Sequence, residues 1–510
     1  MRPLSKSKMM AYRQCRRRLW LEVHRADLRQ DSEQTETRFS VGHRLGEISR
    51  ILYDPKQNGR LIDLGELGVS GALTLSHDLL SERKVLFEAG FSAGGALAFT
   101  DIMLPITRKG KAAWNVIEVK SSTSVKDYHR DDAAVQAYVM RSAGVNYDSI
   151  SLAHIDTSFI YDPKKGYAGL LSQRNLTKEA DARFGEVKEW VKDAQSVIAS
   201  PIEPSMRTGR HCSDPYECGF HAYCSRGEPK AAIPVSVLPR VQSKTLKALI
   251  ADNPVLELSD VPDDMLNDQQ KRVKSCTLSG ALYFDQAAAA RELARHALPA
   301  YFMDFETAQM AIPVWEGMRP YQQVPFQFSV HRLSRDMVLS HDSFLDLSGG
   351  DPSKAFAVKL IEVLGKAGPI FVYNAAFEKG RIGELAEKFP KLRKALLALN
   401  DRVVDLLPIA RQYYYHPSQE GSWSIKSVLP TIAPDLRYDA LEGVQHGGDA
   451  MAAYEEAILP ETTEQRRHEI ERQLHEYCKL DTYAMVRMWG VFTANKIVDL
   501  EPTTSSDLYL

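Results

Sequence analysis

The sequence has little of what marks a secreted, membrane or fibrous protein. Six cysteines in 510 residues are too few for a disulfide-stapled scaffold. No apolar run approaches the roughly 18 residues of a membrane-spanning helix; Ala96–Ile106, for instance, is interrupted by Asp101 and Pro105. Met1-Arg2-Pro3-Leu4-Ser5-Lys6 carries charge with no apolar segment behind it, so an export signal is not expected and a cytoplasmic location is. No internal repeat or low-complexity tract occurs, which excludes solenoid and fibrous architectures. An excess of one charge is also missing, with 64 basic residues against 66 acidic ones. A strongly basic chain would point to nucleic acid directly. Balance does not exclude it, because acids at metal sites and bases along a groove cancel.

The rest of the composition, 44% hydrophobic and 25% charged, is that of an ordinary globular protein. The length suits two or three domains. Residues 1–230 read as one α/β module. It starts with a basic helical stretch, Ser7 to Arg25, and a helical region at Phe39–Ile51. Strands are predicted at Lys84–Ser92, Ala96–Leu104, Ala113–Lys120 and Ser151–Tyr161, with helices at Asp131–Ala143 and Asn175–Ile198. Gly94-Gly95 turns the first two strands into a hairpin. Residues 231–298, with turns at Pro239, Pro254 and Pro262, read as a helical connector. A second α/β module spans 299–510, with strands at Tyr301–Glu306, Phe326–Leu333 and Ile370–Tyr373. Its helices are predicted at Ala376–Phe389, Asp449–Leu459 and Thr463 to about Asn495.

Three constellations carry chemistry. In the first, Glu118 and Lys120 stand two apart on a strand and so leave the same face. Asp101, on the preceding antiparallel strand, reaches that face too. Two carboxylates suit a hard divalent cation, Mg²⁺ or Mn²⁺, and a neighbouring ammonium can help activate water. The alternative is a Glu-x-Lys pair that merely solvates the strand. With the helix bearing Asp132, Gln136 and Tyr138, the pattern resembles the PD-(D/E)xK nucleases, RecB-like branch. That family has Gln-x-x-x-Tyr on this helix; here Met140 follows Gln136 at that spacing, so only Gln136 carries over. His43 and Glu47 lie in the region of the family's upstream histidine, and Glu88 is an additional candidate ligand or a surface acid.

In the second, Cys212, Cys218 and Cys224 follow Cys15 at long range. Four thiolates hold a 4Fe–4S cluster; structural zinc, with His211 or His221 contributing, is the alternative. An early cysteine paired with three late ones resembles the iron–sulfur subset of RecB-like nucleases, which includes AddB-type helicase-nucleases and the CRISPR adaptation nucleases. The resemblance implies a structural cluster that clamps the ends of the nuclease domain. Cys276 and Cys478 read as buried thiols, and the arginines beside Cys15 as phosphate contacts or a solvated face.

In the third, Asp304 and Glu306 share a strand face, Glu378 opens a helix after a strand, and Tyr477 and Asp481 share a helix face. Four acids can hold two divalent metals about 4 Å apart, which stabilise the attacking and leaving oxygens of an in-line displacement. In this order the fragments resemble the DnaQ-like DEDD exonucleases of RNase H-like fold, in their tyrosine subclass. Glu378 stands where that family has aspartate. Asp449 is a rival fourth acid, Asp405 an accessory acid or a helix cap, and Lys426 a phosphate contact or surface lysine. Trp423 and Tyr413–Tyr415 are stacking platforms for unpaired bases or core residues.

Val324–Ser329 and Gly421–Lys426 extend the likeness to a bacterial family that fuses a RecB-like nuclease to a DnaQ-like domain. It spans about residues 5 to 490. The resemblance implies a restriction-endonuclease-like core and an RNase H-like 3′–5′ exonuclease domain. It also implies metal-dependent hydrolysis of single-stranded DNA or DNA ends, without a membrane. Metal ligands would be Asp101 and Glu118, then Asp304, Glu306, Glu378 and Asp481. Lys120 and Tyr477 would act on the nucleophile. A catalytically degenerate nucleic-acid-binding subunit and an RNA-directed exonuclease are the alternatives.

Overall fold

The computed structural model describes residues 3–31 and 33–499 and is a mixed α/β protein. Its contacts divide into two units. One comprises the chain up to Glu228 together with Met310–Tyr321; the other comprises Pro229–Gln309 and the chain from Gln322.

The first unit opens with strand β1 (Leu4–Ser5), helices α1 (Lys6–Gln14), α2 (Arg16–His24) and α3 (Glu33–Tyr53), strand β2 (Arg60–Leu61) and helix α4 (Leu64–Leu79). Strands β3 (Leu86–Ala93), β4 (Ala96–Arg108) and β5 (Lys111–Lys120) then form an antiparallel meander. The β3–β4 turn is Gly94-Gly95, with φ of +61° and +86°, the left-handed region glycine enters without steric penalty. Helix α5 (Asp127–Ser142) carries the chain to β6 (Tyr147–Ile155), parallel to β5, and β7 (Leu171–Asn175) pairs antiparallel with β6. The sheet order is β2-β3-β4-β5-β6-β7, with β1 against β4. Helices α6 (Thr177–Ala182), α7 (Phe184–Ala199) and α8 (His221–Ser225) complete the unit. Small buried residues on α5, Ala133, Ala134 and Ala137, let it lie close on the sheet. That proximity brings Asp132 and Gln136, one turn apart on the helix, down to β5.

Residues 310–321 arrive from the far side of the sequence. Ala311 and Ile312 pack with Leu45, Ile48, Ile155 and Leu170. The Tyr161 amide donates to the Met318 carbonyl at 3.0 Å and the Gly317 amide to the Tyr161 carbonyl at 2.9 Å.

The second unit begins with α9 (Lys244–Asp252), α10 (Asp268–Ser279), β8 (Tyr283–Phe284) and α11 (Gln286–Leu293). Its sheet is built from β9 (Ala300–Ala308), β10 (Val324–Leu333), β11 (Val338–Leu345), β12 (Ile370–Val372) and β13 (Val403–Asp405). Helices α12 (Ser353–Leu364), α13 (Ala376–Lys388) and α14 (Arg393–Asn400) lie between these strands in the chain. Helix α15 (Leu406–Tyr413), β14 (Tyr414–Tyr415), α16 (Ile425–Ile432), α17 (Gly447–Ala457), the 30-residue α18 (Glu464–Thr493) and β15 (Val498–Asp499) follow. The order is β13-β12-β9-β10-β11-β15. β9, β10 and β11 run antiparallel, and β12 and β13 parallel to β9. β10 is buried almost throughout because α12 packs on it from one side and α18 from the other, which explains its near-continuous apolar run.

Several expectations shift against these elements. The helical stretch at 175–198 breaks at Arg183 into α6 and α7. The strand expected at 151–161 runs Tyr147–Ile155, the chain turning at Asp156 where the side chain caps the Ser158 amide at 2.8 Å. Residues 231–298 group with the second unit. Among the described residues no helix is long and apolar enough to cross a membrane.

Because Ile312 is 5% exposed in the core of the first unit, Ile312→Asp should destabilise that unit by about 3 kcal/mol or more, a buried charge replacing apolar packing. Denaturant unfolding of the full chain followed by limited proteolysis measures it; the new cleavages should fall within residues 33–228.

Candidate functional site

In the first unit the β4–β5 pairing ends with Ile102 opposite Ile117, and Asp101 and Glu118 are the next residues on the two strands. Glu88, at φ +57°, interrupts the β3–β4 ladder between Phe87, paired with Ile102, and Ala89, paired with Thr100. The Asp101 carboxylate accepts the Val119 amide at 2.6 Å. Glu118, 3% exposed, accepts the Lys120 ammonium on Oε1 at 2.6 Å and the Gln136 amide on Oε2 at 2.9 Å. Lys6, the first residue of α1, reaches the same Oε1 at 2.7 Å. Both lysines also pair with Asp132, Lys120 at 3.0 Å and Lys6 at 3.3 Å. A cavity of about 160 Å³ opens beside this cluster, lined by Ser49, Arg50, Glu88, Asp101, Lys120 and Ser121 among others.

The electrostatics of the cluster are divided. Burial and the Glu118 charge push Asp101 up to about 7, and burial, again with the Glu118 charge, raises Glu88. Burial also opposes ionisation of Glu118, yet Lys120 and Lys6 outweigh it and hold that carboxyl below the usual range. The acids lining the cavity are therefore those short of positive charge, which is the condition for a cation there.

Of the other residues singled out from sequence, His43 and Glu47 are exposed on α3. Tyr138 points to the hairpin instead of the acids, its hydroxyl donating to the Gly94 carbonyl at 3.0 Å. Met140 is core.

Cys15, Cys212, Cys218 and Cys224 line one cavity with His211, His221 and the Arg17 and Arg18 side chains. Cys15 caps α1 and starts α2, its thiol accepting the Arg18 amide at 3.4 Å. Burial raises the Cys15 and Cys218 thiols and pushes Cys224 up to about 11, so ligation there would release protons. Among the described residues, no three ligand atoms of this cavity lie within 4.8 Å of one another.

In the second unit β9 presents Asp304 and Glu306, α13 presents Glu378, and α18 presents Tyr477 and Asp481. One ligand atom each from Asp304, Glu306 and Cys478 gathers within 4.8 Å. Asp405 caps α15 through the Leu407 amide at 2.9 Å and accepts the Asn374 and Ala375 amides, both at 3.0 Å. That carboxylate thereby fixes the turn, Asn374 at φ +84°, that launches α13 and aims Glu378. It is a cap that also lies close enough to Glu378 for its charge to raise that carboxyl. Asp449 likewise caps its own helix, accepting the Gln445 and His446 amides at 2.9 and 2.8 Å.

All four acids of the cluster resist ionisation. Burial, reinforced by the Asp481 charge, raises both Asp304 and Glu306 far above the carboxylate range. Burial pushes Glu378 up to about 8, and its Oε2 has no hydrogen-bond partner. Burial also lifts Asp481 to about 6, moderated by a hydrogen bond from Tyr438 and by Lys426.

Tyr438 is the residue sequence reading missed here: its hydroxyl donates to Asp481 at 2.5 Å, from a short 3-10 helix, Tyr438–Ala440, 43 residues away with no motif around it. Lys6 is the corresponding omission in the first unit. Lys426 stands 5.0 and 4.9 Å from the Tyr438 and Tyr477 ring centres and donates to the Gln445 carbonyl at 2.6 Å. The base-stacking reading of Trp423, Tyr414 and Tyr415 is corrected. They are 5%, 2% and 0% exposed, and the Trp423 indole donates to the Tyr414 carbonyl at 2.8 Å. Tyr413 binds Glu292 at 2.8 Å.

Residues 301–424 match the model of a domain of unknown function, DUF2779. The match takes in Asp304, Glu306 and Glu378 and stops before Tyr477 and Asp481. A search of curated proteins returns no match.

A carboxyl raised by burial binds a proton on folding, so its contribution to stability is full below its unfolded value near 4.5 and is lost as pH rises through about 8, the value for Glu378. In chelator, melting of the second unit should therefore fall between pH 5 and 8, and Glu378→Gln should flatten that slope. Differential scanning calorimetry tests this; a variant slope equal to wild type refutes the burial of the ionised acid as its cause.

Proposed function

We propose that the protein is a metal-dependent nuclease with two phosphodiesterase sites, acting on single-stranded DNA or DNA ends. The observation that carries the reading is the convergence in the second unit. Four acids, three of them buried and Asp304 half-buried, and a tyrosine, drawn from β9, α13 and α18, meet at one place although 177 positions separate Asp304 from Asp481. Lys426 offsets only part of the charge of four acids, so the cluster is stable at neutral pH only with protons or further cations in it. The donor set, carboxylate oxygens, fits Mg²⁺ or Mn²⁺.

In this reading the second unit is an RNase H-like exonuclease domain of the DEDD type, which its mixed sheet with the first two acids on β9 supports. Asp304, Glu306, Glu378 and Asp481 would hold the metals, and Tyr477 would orient the incoming water. Tyr438 holds the Asp481 carboxylate, and Lys426, close to the acids, is available to a phosphate oxygen. When bound, the cations supply charge neutralisation for the attacking and leaving oxygens.

The first unit is read as a PD-(D/E)xK nuclease of restriction-endonuclease-like fold. The antiparallel meander, α5 and the parallel β6 support that, together with Asp101, Glu118 and Lys120 on adjoining strands. Asp101 and Glu118 would hold a cation at the cavity, with Glu88, in the lining of the same cavity, as a third oxygen donor. Lys120 would hold the water, and Gln136 fixes the Glu118 carboxylate. The four cysteines around one cavity would hold a 4Fe–4S cluster, with zinc the alternative, and its part would be structural.

Labelled single-stranded DNA with Mg²⁺ or Mn²⁺ tests the two-site reading. Wild type should degrade it, Glu118→Ala and Asp304→Ala should each remove a different share of the products, and the double variant should be inert. Absence of cleavage in both metals, on DNA and RNA alike, would sink it.

For the cysteines, anaerobically purified protein should be brown and Cys218→Ser bleached. Colourless wild-type protein with one zinc per chain would overturn the cluster assignment.

A further inference from the structure

We propose that Lys6 is a positioning residue of the first site: it holds the Glu118–Asp132 pair so that Lys120 can turn to the reacting water. This rests on the nuclease reading of that site. The two ammoniums are near-duplicates as the chain folds. Each binds Glu118 Oε1, Lys6 at 2.7 Å and Lys120 at 2.6 Å. Each also binds Asp132, but on different oxygens, Lys6 on Oδ1 and Lys120 on Oδ2. One ammonium cannot neutralise two buried carboxylates and at the same time engage a water in the adjoining cavity. With Lys6 in place, Lys120 can leave the pair without stranding it unpaired away from solvent.

The placement of Lys6 is built into the fold. β1 pairs with β4 through Leu4 opposite Ala96 and Ser5 opposite Leu97, five residues before Asp101 on the same strand. Ser5 then caps α1, accepting the Lys8 amide at 3.3 Å, which starts the helix at Lys6. Its side chain is only 17% exposed, so it serves the carboxylates rather than the solvent. Lys120 lines the cavity beside Asp101, whereas Lys6, on α1, is not part of that lining. The division of labour follows from those positions: Lys120 is the lysine within reach of a substrate, and Lys6 the one that stays behind.

The test uses the full chain carrying Asp304→Ala and Asp481→Ala, which silences the second acid cluster, and compares that parent with Lys6→Met, Lys6→Arg and Glu118→Ala. For Lys6→Met, kcat on single-stranded DNA should fall about 100-fold with KM within about threefold. Mn²⁺ titrated without substrate should bind about tenfold more tightly, since a buried positive charge has been removed from the acids. Lys6→Arg should recover most of the lost kcat. A merely structural lysine would weaken Mn²⁺ binding along with activity, and that result, or an unchanged kcat, overturns the proposal. If Lys6→Met does not fold, Lys6→Arg decides, because a folded arginine variant as inactive as Glu118→Ala also overturns it. A parent that cleaves nothing, with Glu118→Ala no different, refutes the nuclease reading itself and this role with it.

Discussion

Carboxylates packed against carboxylates, out of water, are the condition on which both units are organised. Desolvation and mutual repulsion each disfavour such clusters, so the surrounding elements must hold them in place. In the second unit β9 supplies two acids from the middle of its sheet, where the neighbouring strands leave no freedom of position. The 30-residue α18, buried along most of its length after Tyr477, supplies a third. Asp405 gives its whole carboxylate to backbone amides and so fixes the turn from which Glu378 projects. Tyr438 binds Asp481 directly.

The first unit solves the same problem with cations of its own. Two lysines and an amide surround Glu118, leaving Asp101 and Glu88 exposed to the cavity and short of charge. Helix α1 ties this arrangement to the cysteines: its first residue is Lys6, and the residue that caps its last turn is Cys15. Nine residues of helix thus separate a buried acid pair from a cavity of four thiols.

How much of this was legible in the sequence depended on distance along the chain. Asp101, Glu118 and Lys120 could be grouped because a strand alternates its faces and Asp101 lies on the strand just before theirs, antiparallel to it. Asp304 with Glu306, and Tyr477 with Asp481, followed from the same two periodicities. Lys6 and Tyr438 could not be read, since one reaches its partner across 112 positions and the other across 43, with no local pattern to announce either. Trp423 and its tyrosine neighbours were ambiguous because a large aromatic ring suits a base and a core equally; the second unit uses them as core. Glu88 and Asp449 show the reverse limit, that an acid's neighbours and not its type decide whether it is spent on a backbone amide or left facing a cavity.

The segment 310–321 has a consequence for how the chain is made. The first unit's helix α3 and the turn after β6 are covered by Ala311, Ile312 and the strand-like contacts around Met318, yet these residues follow β9 of the second unit in sequence. A ribosome that has synthesised everything up to Glu228 has therefore not finished the first unit. Its apolar face waits, open, while some eighty further residues emerge, including the strand that bears Asp304 and Glu306. The last residues of the first unit are thus made after the second has begun, and neither unit is encoded as one continuous stretch.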